Sequence, residues 1–240
     1  CRAPGPCQGC GGHRQGKADP QRGRLSGIGR AVDNEKHVNW FALEKACEKE
    51  GCPVCGIINE RAERYIDNML FEHVSDRGFR AKYRASGGFC DRHAANLESF
   101  RDGLAVAILG VDVLTTILPE LSRKRVPRFK GVCPACEESN RVEQEFLGYL
   151  ADRNEEEFIA IFTASEGLCV PHYRRLLSLT KKLPRWLSDF QRERFETLLE
   201  RSKRFVDCSA WGRQEDFSAL EPQDKIVWKE LARTLRGTIR

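Results

Sequence analysis

Four short motifs recur in fixed order along this chain: Cys52-Pro53-Val54-Cys55, Cys90-Asp91-Arg92-His93, Cys133-Pro134-Ala135-Cys136 and Cys169-Val170-Pro171-His172. The order CPxC, CxxH, CPxC, CxxH is a repeat. Cys52 and Cys133 lie 81 residues apart and His93 and His172 lie 79 apart, as two copies of one unit require. The flanks repeat too. Asn59 and Asn140 follow the second Cys of their pair by four residues, Tyr65 and Phe146 by ten, Ile66 and Leu147 by eleven, and Met69 and Leu150 by fourteen. Offsets of ten, eleven and fourteen share one helical face, so ligands and packing positions are repeated together.

Thiolate and imidazole are the donors Zn²⁺ prefers, and three Cys with one His close a tetrahedron without leaving a position for substrate water. The expected sites lie within each copy: Cys52, Cys55, Cys90 and His93 in the first, Cys133, Cys136, Cys169 and His172 in the second. Proline after the first Cys predicts a helix start, where free N–H groups and the positive dipole end favour thiolate over thiol. The intervals between ligand pairs are longer than in ordinary zinc fingers, but loop-closure cost grows only logarithmically. An iron–sulfur cluster is the closest rival and more often takes four Cys. A dithiol redox centre is another, in which Cys52 and Cys133 would be nucleophiles, but it needs a preceding strand and gives the histidines no role. Eleven cysteines, an odd number, cannot form a complete disulfide framework within one chain.

The strings GCPVCGIINERAERYIDNMLFEHV and GGFCDRHAANL, with GVCPACEESN and GLCVPHYRRLL in the second half, resemble a prokaryotic family catalogued as domain of unknown function 6062. The resemblance covers roughly residues 38 to 210. It implies paired CPxC and CxxH motifs and transfers no activity.

The predicted fold is all-α: two tandem copies of a helical unit, each stapled by a Cys3His site, with an N-terminal tail and a C-terminal helix. Residues 1–34 are rich in glycine and lack apolar periodicity, so they read as a flexible tail. Residues 35–125 form the first unit, 126–210 the second and 211–240 a helical extension. A helix over Glu35–Glu50 is predicted to turn Val38, Phe41, Ala42 and Ala46 inward. The next, from about Pro53 to His73, buries Ile58, Ala62, Tyr65, Ile66, Met69 and Leu70. Segment 103–124 is the most apolar and is expected to be the central packing helix. Its apolar run, Leu104 to Leu118, is shorter than the ~20 residues that cross a bilayer, so no membrane span is expected. In the last helix Ile226, Trp228, Leu231 and Leu235 are expected to dock.

Cys1, Cys7, Cys10 and His13 form a further Cys/His set with the donors for a third zinc, in a context without apolar support. Cys47 and Cys208 read as core filling, His73 as a packed histidine, and His37 as a surface residue at a helix start. Basic residues gather at Arg123, Lys124, Arg125, Arg128 and Lys130 and again at Arg174, Arg175, Lys181, Lys182 and Arg185, with Phe129, Tyr173 and Trp186 nearby. They offer a nucleic-acid surface if they share a face. A net charge of only +5 does not demand one. No P-loop, GxSxG or HExxH is present, and the Gly27-Ile28-Gly29 string has no strand before it. No catalytic constellation is expected. The chain opens on Cys1 with no charged-then-apolar signal sequence, and the reading is a cytoplasmic, zinc-stabilised protein that binds other proteins.

Overall fold

Cys52 and Cys133 stand at the N-caps of two long helices, α2 (Pro53–Phe71) and α6 (Pro134–Ala151), with proline at the first helical position of each. A missing N–H costs nothing there, and the ring fixes φ near the helical value. The computed structural model describes residues 37–238, apart from 96, 101, 126 and 211 and the side chain of 98. The Cys1, Cys7, Cys10 and His13 set lies outside the described residues.

Among the described residues there are twelve α-helices and no strand. The first half contains α1 (Val38–Cys47), α2, α3 (Arg77–Ser86), α4 (Asp91–Ala94) and α5 (Gly103–Ser122), with a 3-10 turn at Leu97–Phe100. The second contains α6, α7 (Glu156–Thr163), α8 (Val170–Leu179) and α9 (Arg185–Cys208). Three short helices follow: α10 (Gln214–Ala219), α11 (Pro222–Lys225) and α12 (Val227–Arg236).

The centre of the fold is the pair α2 and α6. Ile57 and Ile58, near the start of α2, pack in one cluster with Phe146, Leu147 and Leu150 near the end of α6. Ile66 and Leu70, near the end of α2, pack with Cys133 and Ala135 at the start of α6. The two helices therefore run antiparallel. Their inward faces are the repeated offsets of the sequence: Ile66, Phe146, Leu147 and Leu150 are buried, and Tyr65 and Met69 are partly buried. Lys36–Arg240 form one compact unit.

Three packing expectations are corrected. In α1 the buried face carries Trp40, Leu43, Ala46 and Cys47, while Val38 and Phe41 point to solvent, because Trp40 docks edge-on against Phe158 of α7. Helix α5 is not the central packing element. It buries only Ala105 and Leu109, since the antiparallel pair already fills the middle. The C-terminal segment breaks at Ile226 into α11 and α12, and Ile226, Trp228 and Leu235 are exposed. It docks through charge: Arg201 binds Asp224 and Glu230 at 2.7 Å each, and Arg233 reaches Glu166 at 3.2 Å.

Candidate metal centres

The eight motif residues come together, but crosswise. Cys52 and Cys55 meet Cys169 and His172; Cys90 and His93 meet Cys133 and Cys136; within each group the ligand atoms all lie within 4.8 Å of one another. The within-copy pairing expected from the sequence is overturned. The reason is helix arithmetic. At 1.5 Å per residue α2 carries the chain about 28 Å from Cys52, and α3 offers only about 15 Å of return, so Cys90 emerges at the far end. The antiparallel partner places Cys133 at that end. In the second half α6 and the shorter α7 repeat the same displacement.

All four leading cysteines are N-cap residues: Cys52 of α2, Cys133 of α6, Cys90 of α4 and Cys169 of α8. Each tetrad thus joins two helix starts, one from each half, and the two tetrads sit at opposite ends of the α2/α6 pair. None of these four cysteines makes a side-chain cap hydrogen bond, so their sulfurs are free to turn toward the other ligands.

In the outer tetrad His172 Nδ1 lies 3.4 Å from Cys52 Sγ, 3.4 Å from Cys55 Sγ and 3.2 Å from Cys169 Sγ, and Cys55 and Cys169 are 3.7 Å apart. In the inner tetrad His93 Nδ1 lies 3.3 Å from Cys90, 3.6 Å from Cys133 and 3.4 Å from Cys136, with Cys90 and Cys136 3.6 Å apart. A tetrahedral ion with metal–sulfur bonds of about 2.3 Å and a metal–nitrogen bond of about 2.0 Å spaces its donors about 3.5 to 3.8 Å apart. The cages have that size. The sulfur separations are far beyond a disulfide bond of about 2.05 Å, and these cysteines are free thiols.

The crowded thiols differ in how readily they give up their protons. Burial pushes Cys52 well up, and burial pushes Cys136 up to about 12. Hydrogen bonds from the Cys169 and Cys52 thiols hold Cys55 well below the ordinary thiol range. Burial opposes ionisation of Cys90, but hydrogen bonds from the His93 backbone and from Cys136 outweigh it and lower the value. His172 is raised to about 10: burial works against its charge, and hydrogen bonds to Cys169 and Cys55 overcome that cost. His93 is lowered by burial and by Arg92, which leaves a neutral imidazole of the kind metals bind. A divalent cation held there would replace the protons that these clusters share.

The surroundings of the two tetrads differ. His172 Nε2 lies 3.6 Å from the Glu143 carboxylate, an ion-pair distance just beyond a hydrogen bond, where that carboxylate would orient the imidazole of a metal-bound His172. The position in α2 that matches Glu143 in the repeat is Ala62, which offers no carboxylate. His93 Nε2, like His172 Nε2, has no hydrogen-bond partner among the described residues, and His93 borders a cavity of about 20 Å³ lined by Asn59, Ala62 and Glu63. The outer tetrad is also covered by the chain after α12. The Thr238 amide donates to Cys55 Sγ at 3.3 Å, and Asn59 holds the Thr238 carbonyl at 2.7 Å. Gly237, at φ +76°, leaves room there, for a Cβ would stand 3.3 Å from both Cys55 and Cys169 sulfurs. In the inner tetrad Cys90 and Cys136 are partly exposed.

The remaining candidates fall outside the tetrads. Cys47 is buried, and its thiol is pushed up to about 12 by that burial, as core filling requires. Cys208 is only half-buried. His37 caps α1 by accepting from Asn39 N at 3.2 Å. His73 is half-exposed beside Glu72 and is not packed in the core. Sequence reasoning missed Glu143, Gly237 and Thr238. Glu143 breaks the repeat, and the other two lie outside it.

Comparison with known proteins gives relatives without an activity. No solved structure matches the chain. An uncharacterized 23.9 kDa protein in the xynA 3′ region of Caldicellulosiruptor sp. (strain Rt8B.4) is 29% identical over 141 residues, covering 55% of this chain and 68% of that protein. Over residues 15–107, which contain the first CPxC and CxxH pair, the chain matches the model of the Family of unknown function (DUF6062).

Proposed function

We propose that this chain is a zinc-stapled helical interaction protein, in which one structural zinc per crosswise tetrad fixes helices whose outer faces bind protein partners. The observation that carries the reading is closure. Four side chains occupy the four corners of each cage, so no corner remains for a water or a substrate, and such sites are structural by default. Three thiolates and an imidazole suit zinc. The narrow cages argue against an iron–sulfur cluster, which spreads its thiolates over several irons. A structural zinc can supply on the order of 10 kcal/mol of apparent folding free energy, comparable with the whole stability of a domain. A reducing compartment such as the cytoplasm suits so many closely spaced thiols.

Partial exposure of Cys90 and Cys136 favours a second reading for the inner tetrad, as a metal-responsive site that releases its ion when the thiolates are oxidised. Elemental analysis and an absorption spectrum of anaerobically purified protein test the first reading. Two equivalents of zinc in a colourless sample support it, and a brown sample containing iron and sulfide overturns it. Reversible loss of one equivalent at low peroxide, with the other retained, supports the second.

A further inference from the structure

Helix α5 carries an apolar seam with no partner among the described residues. Leu104, Ala107, Val111, Leu114, Leu118 and Leu121 follow one another at intervals of three and four, the heptad spacing of a helix that packs against another helix. All six are exposed, and the leucines and the valine keep between 53% and 74% of their surface in solvent. The seam lies opposite the face by which α5 is docked. That face carries the buried Ala105 and Leu109 and the partly buried Asp112, which takes two hydrogen bonds of 2.7 Å from Arg80 of α3. The seam therefore points away from the body.

We propose that α5 is a dimerisation helix, along which a second copy of this chain lays its own α5 antiparallel. Antiparallel pairing sets Leu104 against Leu121, Ala107 against Leu118 and Val111 against Leu114, with small beside large where Ala107 meets Leu118. It also keeps the two basic ends, Arg123 to Arg125, about 30 Å apart. Parallel pairing puts the like charges together. Burying the seam on both copies removes roughly 1,000 Å² from water, the lower limit for a specific interface and the size of a weak dimer's.

Other occupants fit less well. The glycine-rich residues 1–36 contain no apolar repeat that could lie in the seam. By length and composition alone α5 could cross a bilayer, which corrects the expectation that no segment qualifies. Crossing is blocked by connectivity: Cys90 and His93 before α5 and Cys133 and Cys136 after it share one tetrad. A spanning α5 forces the connector with Arg123, Lys124, Arg125, Arg128 and Lys130 back through hydrocarbon. The inference does not depend on which ion fills the tetrads.

Sedimentation equilibrium of the full chain tests it, with about twice the 27.4 kDa chain mass expected at roughly 100 µM. Leu114→Glu with Leu118→Glu should restore the single-chain mass while helicity and metal content stay unchanged, because both side chains are already exposed in the single chain. Should that variant lose metal, Val111→Lys on the same seam must give the same single-chain mass. A wild-type chain that stays monomeric, a dimer that survives both variants, or a monomer that instead sediments with vesicles of anionic phospholipid overturns the proposal.

Discussion

The sulfurs of Cys55 and Cys169 lie 3.7 Å apart although 114 residues separate them in the chain. Each half therefore supplies half of every candidate metal site, and damage to one motif must be felt in both. Cys90→Ser should lower bound metal from two equivalents to one and raise amide exchange in α4 and at the start of α6 alike. Cys169→Ser should do the same for α8 and the start of α2. Mass-resolved hydrogen exchange checks this, and loosening confined to residues 35–125 in Cys90→Ser contradicts the crosswise arrangement.

Chelator should empty the inner tetrad first. Cys90 and Cys136 are partly exposed, whereas the outer sulfurs are buried and Cys55 accepts the Thr238 amide. Metal release to an excess of chelator should be biphasic, and alkylation during the fast phase should mark Cys90, Cys133 and Cys136. A single phase, or early labelling of Cys52, reverses the assignment.

Metal retention should fall as pH falls. Burial raises the Cys52 and Cys136 thiols, so they hold protons at neutral pH that an incoming ion must displace. Binding therefore releases protons, and affinity rises with pH. Competition titrations between pH 6 and pH 8 should show affinity increasing by about tenfold or more per unit. A flat profile counts against thiolate ligation.

Glu143 acts through His172 and should matter only to the outer tetrad. Glu143→Gln is expected to weaken that site by about 10- to 100-fold, the usual cost of losing an outer carboxylate, and to leave the inner site unchanged. Isothermal titration of the metal-free protein should resolve the two classes. Equal weakening of both sites refutes a local role.

Asp112 ties α5 to α3 through Arg80 and Arg84. Hydrogen bonds from Arg80 hold its carboxyl below the ordinary value of 3.8. A depressed folded value stabilises the protein above the unfolded value, and the contribution disappears as pH falls through the folded one. The arginines are a third exposed, so screening limits the pair, and Asp112→Ala should cost about 1 kcal/mol at neutral pH and nothing in strong acid. Urea unfolding of metal-loaded protein at the two pH values measures the difference.

Much of this was legible in the sequence because ligands and helix starts are local signals. The Cys-Pro dipeptides announce α2 and α6, and the repeated offsets name the faces that meet. The pairing of motifs is not local, since it depends on how far a helix carries the chain before it turns. Multiplying 19 residues by the helical rise already separates Cys52 from Cys90, a step that motif spacing alone does not take. Helix α5 misled for a related reason. Its apolar content suits a core, but a core is built from the faces that find each other first, and α2 and α6 find each other.

The two tetrads are nested like brackets. Cys90 to Cys136 spans 46 residues and lies wholly inside the interval of 120 from Cys52 to His172. On a ribosome the inner clasp can shut once Cys136 has left the exit tunnel, while Cys52 and Cys55 wait for partners still to be made. Assembly then has a direction: a short loop closes early, and a longer one locks over it. When metal is scarce during synthesis, chains should accumulate with the inner clasp filled and the outer pair of thiols unmated.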